Sequence, residues 1–167
     1  LKPDLISLSK GLTGGFLPMG VTMASKKISE GFLGEDPKQT FWHGHSFTAN
    51  PLGCAAANAS LDLLEKSPHK YLDFESRHRP HLQQIVKDSR IECPRITGTI
   101  AAFNIKVKGQ KGYLNSVGKI MKASALKVGV FIRPLGEVVY LMPPLCITDE
   151  ELEKCYLGIQ EGLNSIS

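Results

Sequence analysis

The chain has no C-x-x-C pair among its four cysteines, Cys54, Cys93, Cys146 and Cys155. Cys54 sits in an alanine-rich helical stretch, and all four read as reduced, mostly packed thiols of the kind found in the cytoplasm. No apolar run is long enough to span a bilayer, so no membrane partner is expected. Leu1-Lys2-Pro3-Asp4 carries no signal-peptide pattern. There is no internal repeat, no low-complexity tract and no long run of like charge. The excess of 20 Lys+Arg over 16 Asp+Glu gives only +4. Lys106, Lys108, Lys111, Lys119 and Lys122 are spread over strand and helix patterns with little aromatic interleaving. They read as solvated faces, which argues against nucleic acid as a partner. A basic rim could still help to attract small anionic ligands.

What is present is ordinary for a globular protein. The chain has 167 residues, 42% hydrophobic and 22% charged, enough for one compact domain or two small lobes. Strands are predicted over 5–9 and 17–24, and a short helix from Ser25 or Lys26 toward Gly31. Asn50 as N-cap with Pro51 at the first helical position starts a helix that runs to about Glu65. Ser67-Pro68 marks a boundary. A helix over 69–88 places Tyr71, Phe74, His78, Leu82 and Ile85 on one face, and Pro80 should kink or split it. One or two strands follow over 96–107, then a helix over 113–128 with Val117, Ile120, Met121, Ala125 and Val128 inward and Gly129 as its stop. Short strands are expected over 130–133 and 138–142. Thr148-Asp149-Glu150-Glu151 is a capping box for a last helix. Residues 1–66 therefore resemble the tail of a larger α/β domain, and residues 67–167 a small α+β domain. A chain that opens directly on a core strand is expected to be a fragment.

Three places carry chemistry. Lys10 ends the Leu5–Ser9 strand and shares a face with Ile6 and Leu8, beside the loop Gly11-Leu12-Thr13-Gly14-Gly15. An amine at the end of an apolar face, next to glycines, suits a Schiff-base lysine, although a lysine snorkelling off a strand end fits too. His43-Gly44-His45 would place two imidazoles on one strand face, with no third metal ligand at a recognisable spacing. These residues could equally line a loop entrance. Arg133 ends an apolar stretch before Pro134, where its guanidinium could hold a carboxylate in a fork or pair structurally with Glu137. Tyr140 reads as packing before chemistry.

The segment from Phe41 through Trp42-His43-Gly44-His45-Ser46 to Ala57, the segment from Gly129 through Arg133-Pro134-Leu135-Gly136 to Pro144, and Ser9-Lys10-Gly11-Leu12-Thr13-Gly14-Gly15 stand in the order found in class III pyridoxal-phosphate aminotransferases. The chain resembles the C-terminal part of such enzymes, most strongly those of biotin synthesis. The resemblance implies a fold-type-I α/β transferase, with 1–66 closing the large cofactor-binding domain and 67–167 forming the small C-terminal domain. It implies pyridoxal 5′-phosphate held by Lys10, which also shuttles the proton during transamination. It places Gly44, His45 and Ser46 on a segment reaching across a homodimer. There Gly44 lies beside the substrate, and His45 and Ser46 touch the cofactor phosphate. Ser46 stands where threonine is usual and His45 where proline is expected. Arg133 is placed on the carboxylate of a keto-acid acceptor, here 8-amino-7-oxononanoate, with S-adenosylmethionine as amino donor. The family's pyridine-binding aspartate, ring-stacking aromatic and main phosphate loop have no counterpart in this sequence. Two alternatives stay open: another class III enzyme acting on ω-amino acids, or a non-catalytic dimerising fragment.

Overall fold

In the computed structural model the described residues are 2–66, 73–107, 109, 112 and 115–166. Expectations placed on Ser67, Pro68, His69, Tyr71, Lys108, Lys111 and Tyr113 lie outside them. The chain divides into two compact units, Leu1–Ser67 and Pro68–Ser167.

In the first unit, β1 (Leu5–Ser9) and β2 (Gly20–Ala24) form an antiparallel pair, with Leu5 opposite Ala24 and Ser9 opposite Gly20. The second strand begins three residues later than its alternating pattern suggests, because the chain from Lys10 to Phe16 is taken up by tight turns. A 3-10 turn, Lys10–Thr13, follows β1 directly. Helix α1 (Lys26–Glu30) starts after Ser25, whose backbone N–H and hydroxyl both bond Asp4. Asp36 accepts the Lys38 N–H and caps a second short turn, Pro37–Gln39. Helix α2 (Pro51–Lys66) begins as its signal predicts, with Asn50 Oδ1 accepting from Leu52 N at 3.0 Å. Gly53 and Ala57 are the buried residues of α2. They lie four apart on one face, and their small size lets the loop after β1 come close. Met19 Sδ stands 3.3 Å from where a Cβ on Gly53 would be.

The second unit closes on one apolar core. Helix α3 (Phe74–Ile85) runs unbroken through Pro80, rather than splitting there. Its inward face is Phe74, His78, Leu82 and Ile85, the predicted stripe. Strands β3 (Ile91–Thr97), β4 (Ile100–Ile105) and β5 (Val138–Leu141) make an antiparallel sheet in that order. β3 begins earlier than expected, because a bulge between Glu92 and Arg95, with Cys93 at φ 51°, carries the chain past Pro94. Helices α4 (Val117–Lys127) and α5 (Asp149–Asn164) pack on each other. Gly162 faces Met121 across that contact, and Gly158 faces Val130. The reciprocal capping box of Thr148 and Glu151 opens α5 as predicted.

Two local expectations are corrected. Ile120 and Val128 point outward, because the close face of α4 is built from Gly118, Met121, Ser124 and Ala125. The stretch 130–133 alternates in burial, with Val130 and Ile132 inside and Phe131 out, yet it joins no strand ladder.

Candidate active site

Lys10 sits at the junction of β1 and the 3-10 turn with φ 52°. A non-glycine residue in this left-handed region is under backbone strain of about 1–3 kcal/mol, and such residues concentrate at functional sites. The surrounding structure holds it there. Gly14 N and Gly15 N close the turn onto Gly11 O and Lys10 O. The buried Thr13 hydroxyl donates to Leu17 O at 2.6 Å, and Ser60 of α2 reaches Gly11 O at 3.4 Å. A Cβ at Gly11 or Gly15 would meet nothing within 4 Å, so one side of the lysine is open to a ligand. The apolar shielding expected around it is not supplied by this unit: every residue of β1 is exposed, and so is Lys10. A two-stranded ribbon leaves both faces in solvent.

Gly44, His45 and Ser46 lie just before α2, in a loop and not on a strand. Thr48 N donates to His45 O, and His45 N donates to Thr48 Oγ1 at 3.2 Å. Phe47 N donates to His45 Nδ1 at 3.1 Å. A ring nitrogen that accepts cannot carry the proton, so the neutral His45 ring holds it on Nε2 and presents that N–H outward. Among the described residues neither this N–H nor the Ser46 hydroxyl has a hydrogen-bond partner. Gly44 is open, with nothing within 4 Å of an added Cβ. The rings of Phe32, Phe41, His43, His45 and Phe47 follow one another at centroid spacings of 5.2–6.5 Å. Among the described residues no group of three or more potential metal ligands forms.

Arg133 belongs to the second unit. The structural pairing with Glu137 does not form. The buried Glu137 carboxylate accepts the Gly112 N–H at 2.7 Å, and none of the ion pairs among the described residues includes Arg133. Arg133 instead borders two cavities. One, of about 340 Å³, has apolar walls from Phe131, Tyr140, Met142 and Pro143, which places Tyr140 in a lining role. The other, of about 290 Å³, brings in Lys119 and Lys122. Sequence reasoning passed over these two lysines as solvated. Their i, i+3 spacing on one helix was the only local signal.

The donors fit a phosphorylated, aldehyde-bearing cofactor. The first unit offers an exposed amine at Lys10, and an imidazole N–H and a hydroxyl at the consecutive residues His45 and Ser46. The comparisons agree with this chemistry. The family model for class III aminotransferases matches residues 1–163. The chain belongs to that family. Members depend on pyridoxal phosphate, and their fold is that of the fold-type-I transferases. The chain is 46% identical over 99% of its length to adenosylmethionine-8-amino-7-oxononanoate aminotransferase of Synechococcus elongatus, covering 39% of that protein. The crystal structure of the Methanocaldococcus jannaschii protein of that name matches with a TM-score of 0.81 at 31% identity, over 96% of this chain and 39% of that one. An amine transaminase from an uncultivated Pseudomonas species, solved with pyridoxal phosphate bound, matches at 26% identity and a TM-score of 0.83. It is covered over 38% of its length. This class III aminotransferase chain thus spans about two fifths of the curated relatives that it matches. Among the described residues no helix is long and apolar enough to cross a membrane.

Proposed function

We propose that the chain supplies the lysine and acceptor-binding arginine of an aminotransferase that converts 8-amino-7-oxononanoate to 7,8-diaminononanoate in biotin synthesis, with S-adenosylmethionine as donor. In this reading residues 1–66 belong to the cofactor-binding domain and residues 67–167 form the small domain of a cytoplasmic homodimer. The observation that carries it is Lys10: a strained lysine, pinned by Thr13 and α2 at a strand end, beside glycines that leave its amine open.

Bound pyridoxal phosphate supplies the electron sink for amino transfer. Lys10 Nζ holds the cofactor and moves the proton at the substrate's amine-bearing carbon. Ser46 Oγ and His45 Nε2–H donate to phosphate oxygens, with Gly44 leaving room for substrate. The resemblance to the family assigns these two donors to the partner subunit's cofactor. Arg133 receives the acceptor's carboxylate, since among the described residues none of the ion pairs includes it. The grip on the pyridine ring and the main phosphate loop have no counterpart here, so the chain by itself is read as catalytically incomplete.

The test separates the half-reactions of an active enzyme containing this chain. Arg133→Ala should weaken the keto-acid half-reaction by about 2–5 kcal/mol, the cost of losing a desolvated charge pairing, and spare the donor half-reaction. Equal loss in both would make Arg133 structural. The likeness to the amine transaminase motivates a second reading, an ω-amino-acid aminotransferase. An acceptor screen in which simple ω-keto acids outperform 8-amino-7-oxononanoate would favour it.

A further inference from the structure

The cavity of about 290 Å³ between α4 and the 133–136 turn is lined by Lys119, Lys122 and Arg133 together with Asn115, and among the described residues no carboxylate lines it. The cations are brought together by a tight backbone approach. A Cβ on Gly118 would stand 2.6 Å from Gly136 O and 3.1 Å from Pro134 Cβ, so the first turn of α4 lies directly against the turn that follows Arg133. Lys119 and Lys122 are three apart, hence neighbours on the same helix face. Lys122 Nζ is further fixed over the Phe131 ring, 4.8 Å from its centroid. Among the described residues none of the three takes a carboxylate partner. The one acid near in sequence, Glu137, is turned to the Gly112 N–H. Three like charges bordering one small space make it a favourable place for an anion.

We propose that this cavity is an oxyanion site for a doubly charged, phosphate-type group, with Arg133 supplying a two-pronged donor and Lys119 and Lys122 the point charges. A single carboxylate leaves charge unmatched there, whereas a dianion balances more of it. The site itself stands on the cavity alone. Its consequence, that a dianion competes with the keto-acid acceptor, rests on the assignment of Arg133 under the proposed function.

The experiment is calorimetric titration of the 167-residue chain with inorganic phosphate and with acetate at constant ionic strength, near pH ~8 where phosphate is doubly charged. A binding event that depends on the cavity lysines is expected, with phosphate about tenfold tighter than acetate. Lys119→Gln and Lys122→Gln should each weaken phosphate roughly three- to tenfold, as loss of one partly screened charge does. Lys127→Gln, which leaves this cavity's lining unchanged, should have no effect. Circular dichroism confirms that each variant folds. Phosphate binding no tighter than acetate, or weakened equally by Lys127→Gln, overturns the site. In an active enzyme containing the chain, phosphate should compete with the keto acid. Phosphate binding that depends on Lys119 and Lys122 without such competition keeps the anion site and removes Arg133 from acceptor binding.

Discussion

His78 Nδ1 and the Tyr156 hydroxyl stand 2.8 Å apart, with the His78 side chain entirely buried. His78 Nε2 faces Thr99 O at 3.0 Å. A carbonyl only accepts, so the ring proton sits on Nε2, and Nδ1 accepts from the tyrosine. His81 stacks on the other side of Tyr156 at 4.5 Å. The pair joins α3 to α5 and fixes a neutral imidazole inside the core.

That arrangement predicts a pH dependence. Burial holds the His78 pKa below the ordinary 6.5, with Arg77 and His81 adding to the effect and the Thr99 carbonyl opposing it. The unfolded chain therefore binds the proton more readily. Stability from this group is present in full above about 6.5 and is lost as pH falls below it toward the folded value. Unfolding in urea at about pH 7.5 and about pH 5 should show this decline. His78→Leu should flatten it and cost about 1–3 kcal/mol at the higher pH, because the Tyr156 hydroxyl loses its acceptor. An unchanged pH profile in the variant would assign the decline to other groups.

Gly118 and Gly162 should respond differently to alanine. Alanine in place of a helical glycine gains about 1 kcal/mol of propensity. At Gly118 the new Cβ meets the Gly136 carbonyl at 2.6 Å, and backbone must move. Overpacking of this kind costs about 1–3 kcal/mol, so a net loss of stability is expected. At Gly162 the nearest atoms are Met121 Sδ and Cε, at 2.7 and 2.8 Å, the end of a flexible though buried side chain, with Met121 Cα next at 3.3 Å. There the two effects should offset to within about 1 kcal/mol. Thermal unfolding of both variants decides, and a Gly118→Ala protein as stable as Gly162→Ala would contradict the packing.

The elements that were legible from sequence are those with local chemical signals. Asn50-Pro51 fixed the start of α2, Thr148 with Glu151 the start of α5, and the Phe74, His78, Leu82 and Ile85 spacing the inner face of α3. What stayed hidden depends on partners distant in sequence. Val130 and Ile132 alternate with Phe131 because one side is buried, but alternation reports burial and not pairing, so no ladder follows. The inner face of α4 is read correctly at Met121 and Ala125 but wrongly at Ile120 and Val128, because Gly118 and Ser124 make the close approach. The start of β3 is masked by Pro94 and the bulge at Cys93.

The candidate site shows the same division. Lys10, Gly44, His45, Ser46 and Arg133 were singled out by motif, and the local backbone of each is described by this chain. The anion cavity was not legible, since Lys119 and Lys122 meet Arg133 only through the contact of Gly118 with Gly136. The desolvation foreseen for Lys10 is not a property of β1 and β2 alone, because neither strand carries a covering layer within its unit.

Ser46 offers a test of subunit crossing. Ser46→Ala should weaken cofactor binding by about 1–3 kcal/mol, the cost of removing a charge-assisted donor. Lys10→Ala and Ser46→Arg enzymes, each inactive, should recover part of their activity when their subunits exchange. One mixed-dimer site then holds both lesions and the other neither. Verified heterodimers with cofactor supplied and no recovery would place Ser46 on its own subunit's cofactor or outside the site.

The central claim is that Lys10 is the residue that holds pyridoxal phosphate. The direct measurement is borohydride reduction of an active enzyme containing this chain, loaded with the cofactor, followed by peptide mapping. The account predicts a stable pyridoxyl group on the peptide carrying Lys10, and loss of both that adduct and the visible cofactor absorbance in Lys10→Ala. Trapping of the cofactor on a different lysine, with Lys10→Ala retaining the absorbance, would contradict it.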